Sequence, residues 1–156
     1  MAIVGLPVYG GRLPKNISDF FSGLHGAGAP AVAVVVYGNR DYDDSLYELK
    51  LILQERGFDV RAAAAFVGEH TVSSKIAAGR PDANDLSIAL DFGKKVASAI
   101  TNNVTGSLSL KGVYPFVSKG TDPTVCPTTS GDCTKCGLCA ANCPWGAIDA
   151  WTFQAE

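Results

Sequence analysis

The sequence predicts an α/β protein in which an open, doubly wound parallel sheet is followed by a small cysteine-rich segment. Over about the first hundred residues, nearly continuous apolar runs alternate with amphipathic segments. That alternation is typical of strands buried on both faces and joined by helices. Four of the five cysteines then fall between positions 133 and 143, where the strand and helix pattern has ended.

Three runs are predicted as strands, because each is rich in small or β-branched apolar residues and is bounded by turn residues. They are residues 2–9, 31–37 and 58–67. A helical segment is predicted after each strand, so that right-handed crossovers would build one parallel sheet. The second helix should begin at Asp43 and Asp44, in the position that complements a helix dipole, and stop at Gly57.

Apolar residues at helical spacing define the buried stripe expected on each helix. The first helical segment begins at Pro14 and the third begins at Pro81 and Asp82. The stripes, in helix order, are Ile17, Phe20, Phe21 and Leu24; Leu46, Leu49 and Leu53; and Leu86, Leu90, Val96, Ala97 and Ile100.

The cysteines follow the C-x2-C-x2-C-x3-C-P spacing that holds a [4Fe-4S] cluster in bacterial ferredoxins. Cys133, Cys136 and Cys139 lie on a tight loop from which three thiolates can reach three iron corners of one cube. Cys143 bent back, Cys126 from upstream or a non-protein ligand could supply the fourth position. Five cysteines in total can complete at most one cluster.

Other uses of these cysteines fit less well. A disulfide framework needs an oxidising compartment, and the first residues show no basic stretch leading into an apolar one, as a secretory signal would. We therefore expect a cytoplasmic protein with reduced thiols. A structural zinc site usually separates two C-x2-C pairs, which three cysteines at successive two-residue intervals do not.

Composition narrows the function classes. The chain has 13 Lys and Arg against 15 Asp and Glu, and its pI is near 5.6, so no basic surface for nucleic acid is expected. No apolar run is long enough to cross a membrane. No Ser/His/Asp order, phosphate-binding Gly-Lys motif or zinc hydrolase motif is present, so no catalytic residue is assigned and the question of enzymatic activity stays open.

Two loops are the other candidate site, because ligands of open α/β sheets lie beyond the carboxyl ends of the strands. The loops after the first two strands combine glycines, which allow close backbone approach, with aromatic rings that can stack on a planar ligand. The candidate cofactor-binding residues are Tyr9, Gly10, Gly11, Arg12, Tyr37, Gly38, Asn39 and Tyr42. His70, after the third strand, is more simply a loop histidine bonded to backbone.

These two loops resemble the isoalloxazine-flanking loops of flavodoxins. The order of segments, with YGNRDYDD, GEH and GRPD, is similar to the flavodoxin/ferredoxin two-domain proteins of anaerobic bacteria and archaea. A linker is predicted over 107–121, where helical periodicity stops and glycine and proline accumulate. The resemblance implies a partial flavodoxin-like domain before it, over 1–106, and a ferredoxin-type iron–sulfur segment after it, over 122–156. It also implies FMN as a second cofactor. Burial tunes the potential of a cluster, and Trp145 and Ile148 are the side chains expected to shield it.

The chain departs from that family in two places. The Ser/Thr- and Gly-rich loop that holds the FMN phosphate is absent, and residues 2–9 resemble the third strand of a flavodoxin. The second cysteine run is absent as well. We therefore expect a fragment, with an exposed first-strand edge through which the chain could self-associate.

The function expected from these features is electron transfer to a redox partner protein. Two alternatives stay open: a partner-docking module in which the cluster is structural, and a truncated remnant with impaired cofactor binding. Reversible reduction of the cluster would separate the carrier from the docking module.

Overall fold

The computed structural model describes residues 1–117, 128–144 and 146–152. The chain divides into two compact units, Met1–Val117 and Ser118–Glu156. The first unit contains a three-stranded parallel sheet with helices, which confirms the predicted α/β class. The second unit contributes one short helix within the described residues.

The sheet consists of β1 (Ala2–Pro7), β2 (Pro30–Tyr37) and β3 (Asp59–Val67), with β2 in the middle. Both pairs are parallel, and Ala31 lies opposite Ala2 on one side and Val60 on the other. A register shift follows at Val32, which lies opposite Ala62.

The first strand ends two residues earlier than predicted, because Tyr9 leaves the sheet to pair with Arg12. The N–H of Tyr9 donates to the Arg12 carbonyl at 2.9 Å, and the Arg12 N–H donates back to the Tyr9 carbonyl at 3.1 Å. Gly10 and Gly11, with φ of 58° and 80°, make this tight turn possible.

The helices of the first unit are a 3-10 turn at Lys15–Ile17, α1 (Ser18–Ser22), α2 (Ser45–Glu55) and α3 (Ala83–Thr101). In the second unit α4 spans Leu138–Asn142. Helix α2 ends at Glu55 with Arg56 as its C-cap, and the predicted stop, Gly57, follows directly with φ of 79°.

The core lies between α2 and one face of the sheet, called the inner face. The predicted stripe Leu46, Leu49 and Leu53 is buried there, and the last two side chains are completely inaccessible. Phe21 of α1 joins the same core, whereas its neighbour Phe20 is 62% exposed. The buried apolar cluster is Leu13, Phe21, Ala31, Ala33, Val35, Leu46, Leu49, Leu53 and Val60.

Helix α3 packs on the opposite, outer face of the sheet, against β3. Phe66 of β3 meets Phe92 of α3 edge to face, with ring centroids 5.7 Å apart. Of the stripe predicted for this helix only Val96 is buried, and Leu86 and Leu90 are 62% and 60% exposed. The helical spacing is right, but α3 packs mainly on the last strand and leaves Leu86 and Leu90 exposed.

Residues 107–117 pack onto the first unit. Lys50 of α2 donates through Nζ to the Leu108 carbonyl at 2.7 Å, and the Val113 N–H donates to Asp44 Oδ1 at 3.1 Å. Leu108 and Leu110 lie against the core. Thus the predicted linker, residues 107–121, begins inside the first unit, and its last four residues lie outside the described ones. The predicted domain boundaries stay a prediction.

In the described ranges, none of the helices combines the length and the apolar content needed to span a bilayer.

An acidic pair fixes the start of α3. Asp82 accepts from the N–H of Asn84 and Asp85, and Asp85 accepts in return from the N–H of Asp82 at 2.8 Å, which forms a capping box. Nε and Nη2 of Arg80 donate to the two carboxylate oxygens of Asp85. The bond from Arg80, followed by that from the Asp82 N–H, lowers the pKa of Asp85 to about 2.

We predict that this carboxylate makes folding sensitive to acid. Because its folded-state pKa of about 2 lies below the ordinary value of about 3.9, its stabilising effect is complete above pH 4 and disappears as pH falls through about 2. Asp85→Asn should lower Tm by a few degrees at pH 7, and the difference from the unmodified chain should vanish near pH 2.

The control is Asp91→Asn, because the Asp91 side chain is 62% exposed and lies 3.6 Å from Lys94. This control should leave Tm nearly unchanged at all pH values. A loss of Tm in Asp85→Asn that is the same at pH 2 and pH 7 would contradict the assignment.

Candidate functional site

The cysteine segment folds as a turn followed by one helical turn. Lys135 and Gly137 have positive φ, 55° and 77°, and Gly137 caps the N-terminus of α4. Cys136 therefore lies in the turn, Cys139 lies within α4, and Cys143 caps its C-terminus with extended backbone. The C-x2-C spacing around a left-handed glycine lets the chain turn tightly between two thiols.

Three of the thiols face solvent. Cys133, Cys136 and Cys139 are exposed and Cys143 is half-buried, and none of the four takes part in a disulfide bond. The Leu138 N–H and then the Thr134 side chain, both hydrogen-bonded to the sulfur, lower the pKa of Cys136. A lowered pKa favours the thiolate, which is the form that binds metal.

The described thiols do not form a complete metal site. In the part of the chain that the structure describes, no group of three His, Cys, Asp or Glu side chains is placed to hold a metal ion. Cys126, the other predicted candidate for the fourth ligand, and Trp145, predicted to shield the cluster, lie outside the described residues. Ile148 is described and is half-buried.

The donor set nevertheless suits an iron–sulfur cluster. Four thiols lie within eleven residues, and three of them are exposed and accessible to iron. A backbone N–H already points at one sulfur, which is the kind of hydrogen bond that tunes cluster potentials. The ligand assignment itself stays a prediction.

The two predicted flavin loops lie at the same edge of the sheet, because β1 and β2 are parallel neighbours. The Asp44 N–H donates to the Gly11 carbonyl at 3.2 Å and so links the loops directly. Tyr37 and Tyr42 meet edge to face with centroids 5.4 Å apart, and Tyr9 is 65% exposed. One exposed ring and one aromatic pair are therefore available at this edge.

The Arg12 side chain, predicted to bind a cofactor, instead contacts Glu48 and Phe116. Its Nε and Nη2 donate to the two carboxylate oxygens of Glu48 at 2.8 and 2.5 Å, and its guanidinium lies 4.3 Å from the ring centroid of Phe116. The bond to Glu48 raises the pKa of Arg12. The Leu13 N–H also donates to Glu48, at 3.0 Å. Arg12 thus joins the first loop to α2 and to residues 107–117.

The second loop is fixed by close packing against His70. A Cβ added at Gly38 would lie 2.9 Å from the His70 ring, so a larger residue would displace it. The Nδ1 atom of His70 accepts from the Val72 N–H at 3.2 Å, which is the backbone bond predicted for this histidine. Asn39 has φ of 58°, a left-handed conformation that asparagine tolerates.

Sequence reasoning missed the partners of these loops. Lys111 bonds both carboxylate oxygens of Asp41, at 2.7 and 2.6 Å, and this bond lowers the pKa of Asp41. The two residues are 70 positions apart, and Arg12 is 36 positions from Glu48. No local pattern marks either pair, since each depends on how residues 107–117 and α2 pack on the sheet.

A comparison with protein-family models matches residues 130–149 to the 4Fe-4S binding domain. The matched stretch contains all four cysteines of the C-terminal run, which supports the predicted ferredoxin-type segment. No match was found among curated proteins or among solved structures. The flavodoxin-like character of the first unit, and its FMN site, stay predictions.

The contacts of Arg12 lead to a stability prediction. Arg12→Gln should lower the free energy of unfolding by about 1–3 kcal/mol, because Glu48 loses two charge-assisted hydrogen bonds at a mostly buried position. Urea denaturation measures this loss. Arg40→Gln is the control, because Arg40 is 68% exposed and its ion pair with Asp43 is long, at 3.4 Å. This variant should change the free energy of unfolding by about 0.5 kcal/mol or less. Equal losses in the two variants would contradict the structural role of Arg12.

Proposed function

We propose that this chain is an electron-transfer protein whose C-terminal segment binds one [4Fe-4S] cluster. The observation that carries the proposal is the match of residues 130–149 to the 4Fe-4S binding domain, over a stretch that holds four closely spaced thiols. In this proposal the cluster, when bound, accepts and donates single electrons.

Cys133, Cys136, Cys139 and Cys143 are the proposed ligands. Cys133 and Cys136 precede α4, Cys139 lies in the helix, and Cys143 follows Cys139 by about one helical turn, at the C-cap. Cys143 also lies inside the matched stretch, whereas Cys126 precedes it. These two facts favour Cys143 over Cys126 as the fourth ligand.

The chain's own groups would prepare the ligand loop. The hydrogen bond from the Leu138 N–H lowers the pKa of Cys136 and so favours the thiolate, which is the form that binds metal. The left-handed Gly137 keeps the backbone close to that sulfur, and a side chain there would be strained. Hydrogen bonds of this kind also raise the reduction potential of a bound cluster, since they offset the negative charge on sulfur.

The exposure of the loop supports a protein as redox partner. Cys133, Cys136 and Cys139 face solvent, and Leu138 between them is 65% exposed. A partner can therefore approach the ligand loop without rearrangement of the described residues. We place the protein in the reducing cytoplasm, where four thiols this close would stay available for iron.

Cysteine replacement tests the ligand set. In anaerobically prepared samples, Cys136→Ala should lose the EPR signal of a reduced four-iron cluster or convert it to a three-iron signal, and Cys143→Ala should do the same. Cys126→Ala is the matched control and should keep both the signal and reversible reduction.

The result that would contradict the ligand set is a full four-iron signal in Cys136→Ala. Retention of the signal in Cys143→Ala together with its loss in Cys126→Ala would make Cys126 the fourth ligand. A cluster that assembles in the unmodified chain but is not reduced reversibly would favour a structural role.

We further propose a flavin site at the joined loops after β1 and β2. Its support is their position, since a hydrogen bond links Asp44 to Gly11 and the Tyr9 ring is exposed beside them. The proposed contacts are the glycine turn at 10–11 and the aromatic residues Tyr9, Tyr37 and Tyr42. The sequence has no phosphate-binding loop of the flavodoxin type, so the isoalloxazine ring would supply the binding energy.

Comparison of two flavins tests this site. FMN and riboflavin should bind with dissociation constants of the same order of magnitude, measured by quenching of flavin fluorescence, because no loop selects the phosphate. Tyr9→Ala should weaken both, and Tyr114→Ala should weaken neither, since Tyr114 is equally exposed but lies outside the two loops. Absence of quenching by the unmodified chain would overturn the flavin proposal and leave the iron–sulfur proposal untouched.

A further inference from the structure

Strand β1 lies at an edge of the sheet. Among the described residues it pairs only with β2, so none of them forms a strand along its other side. Exposure alternates along β1, with Ile3, Gly5 and Pro7 exposed and the residues between them half-buried. No side chain of β1 carries a charge, and charge is a common means of protecting an edge strand. This free edge is therefore a candidate interaction surface.

The direction of the backbone groups in β1 follows from one hydrogen bond. The Val8 N–H donates to the Val36 carbonyl at 2.9 Å, so the backbone groups of Val8 point towards β2. Because this direction alternates along a strand, the backbone groups of Ile3, Gly5 and Pro7 point away from β2. Proline has no N–H to donate. Within β1, a free donor and a free acceptor are thus combined only at Ile3 and Gly5.

The turn after β1 limits the length of this edge. Tyr9 would continue the series of outward-pointing residues, but its N–H and its carbonyl are both bonded to Arg12, at 2.9 and 3.1 Å. A strand added to the edge can therefore pair with residues before Tyr9 but not with Tyr9 itself. The groups that can take part in full pairing are those of Ile3 and Gly5.

This set of donors and acceptors is complementary to itself. In a two-fold contact two copies of β1 run antiparallel, and the outward-pointing residues of one copy bond to those of the other. If Ile3 lies opposite the partner's Gly5, the two residues exchange both of their N–H···O bonds, and neither Pro7 nor Tyr9 has to donate.

The side chains favour the same register. Ile3 is 65% exposed, and in this register it lies beside a residue that has no side chain. The space over Gly5 is open within one copy, since a Cβ added there would meet no atom within 4 Å. The exposed isoleucine of each copy can therefore cover the glycine of the other.

We propose that two copies of this chain pair antiparallel through their β1 edges, with Ile3 opposite the partner's Gly5 and Val4 opposite the partner's Val4. The two sheets then form one continuous sheet. Association is weak, because one short strand per copy makes a contact at the small end of specific interfaces. The proposal is independent of the proposed function, since it uses neither the cysteine segment nor the loops at the carboxyl ends of the strands.

Sedimentation equilibrium of the full chain, prepared anaerobically over a series of concentrations, tests the pairing. The unmodified chain should be a monomer–dimer system. Gly5→Pro should raise the dimer dissociation constant about tenfold or more, because it removes the N–H that bonds the partner's Ile3 carbonyl, whereas an edge strand tolerates proline at an outward position. Gly5→Ala is the matched control, since it keeps that N–H and its side chain has room. It should change the dissociation constant about threefold or less.

A disulfide tests the register even if Gly5→Pro alters folding. In the proposed register the two Val4 residues form a non-hydrogen-bonded pair with Cα atoms about 4.5 Å apart, which suits a disulfide. Val4→Cys should therefore give a linked pair of the tryptic peptide 1–12, which contains no native cysteine. Ala2→Cys is the control, because the two Ala2 residues would lie roughly 14 Å apart and should not link.

A monomer at every concentration would overturn the proposal. So would a dimer that Gly5→Pro leaves intact, because its contact would have to lie elsewhere on the chain. Equal losses in Gly5→Pro and Gly5→Ala would show that the N–H is not used, which also contradicts the pairing. A dimer in which Val4→Cys does not link, or links no better than Ala2→Cys, would overturn the register.

Discussion

The packing of α2 against the inner face of the parallel sheet is the contact on which the first unit depends. Leu49 and Leu53 of α2 are inaccessible to solvent, as are Ala33 and Val35 of β2 beneath them. Removing one such leucine side chain typically costs about 2–5 kcal/mol, a large part of the stability of a domain of this size. The same helix carries Glu48, which holds Arg12, so the core and the first loop are stabilised together.

Most of this arrangement could be predicted from the sequence, because it depends on short local patterns. The strands are short apolar runs, Asp82 precedes α3, and Gly57 ends α2 with a conformation that glycine favours. The exposure of Leu86 and Leu90 could not be predicted, since helical spacing marks an apolar flank but does not say whether a neighbour covers it. Nor could the packing of residues 107–117, whose contacts reach back 58 to 105 positions.

The two candidate sites also differ in how far local sequence predicts them. The cysteine segment is local, so its spacing predicts its chemistry, and the family match over residues 130–149 agrees. Spacing alone does not bring the four thiols together in space. Among the described residues, no three potential ligand side chains are placed to hold one metal ion. The flavin loops are joined by a contact between Gly11 and Asp44, yet nothing in their sequence fixes a ligand there. The proposed electron-transfer function therefore depends on the C-terminal segment.

The content of iron and acid-labile sulfide in the anaerobically purified chain tests this account most directly. A [4Fe-4S] protein should contain about four iron and four sulfide per chain, together with a visible absorption that bleaches on reduction and returns on reoxidation. Stoichiometric zinc without sulfide, or a folded chain that takes up no iron when reconstituted with iron and sulfide, would contradict the central claim.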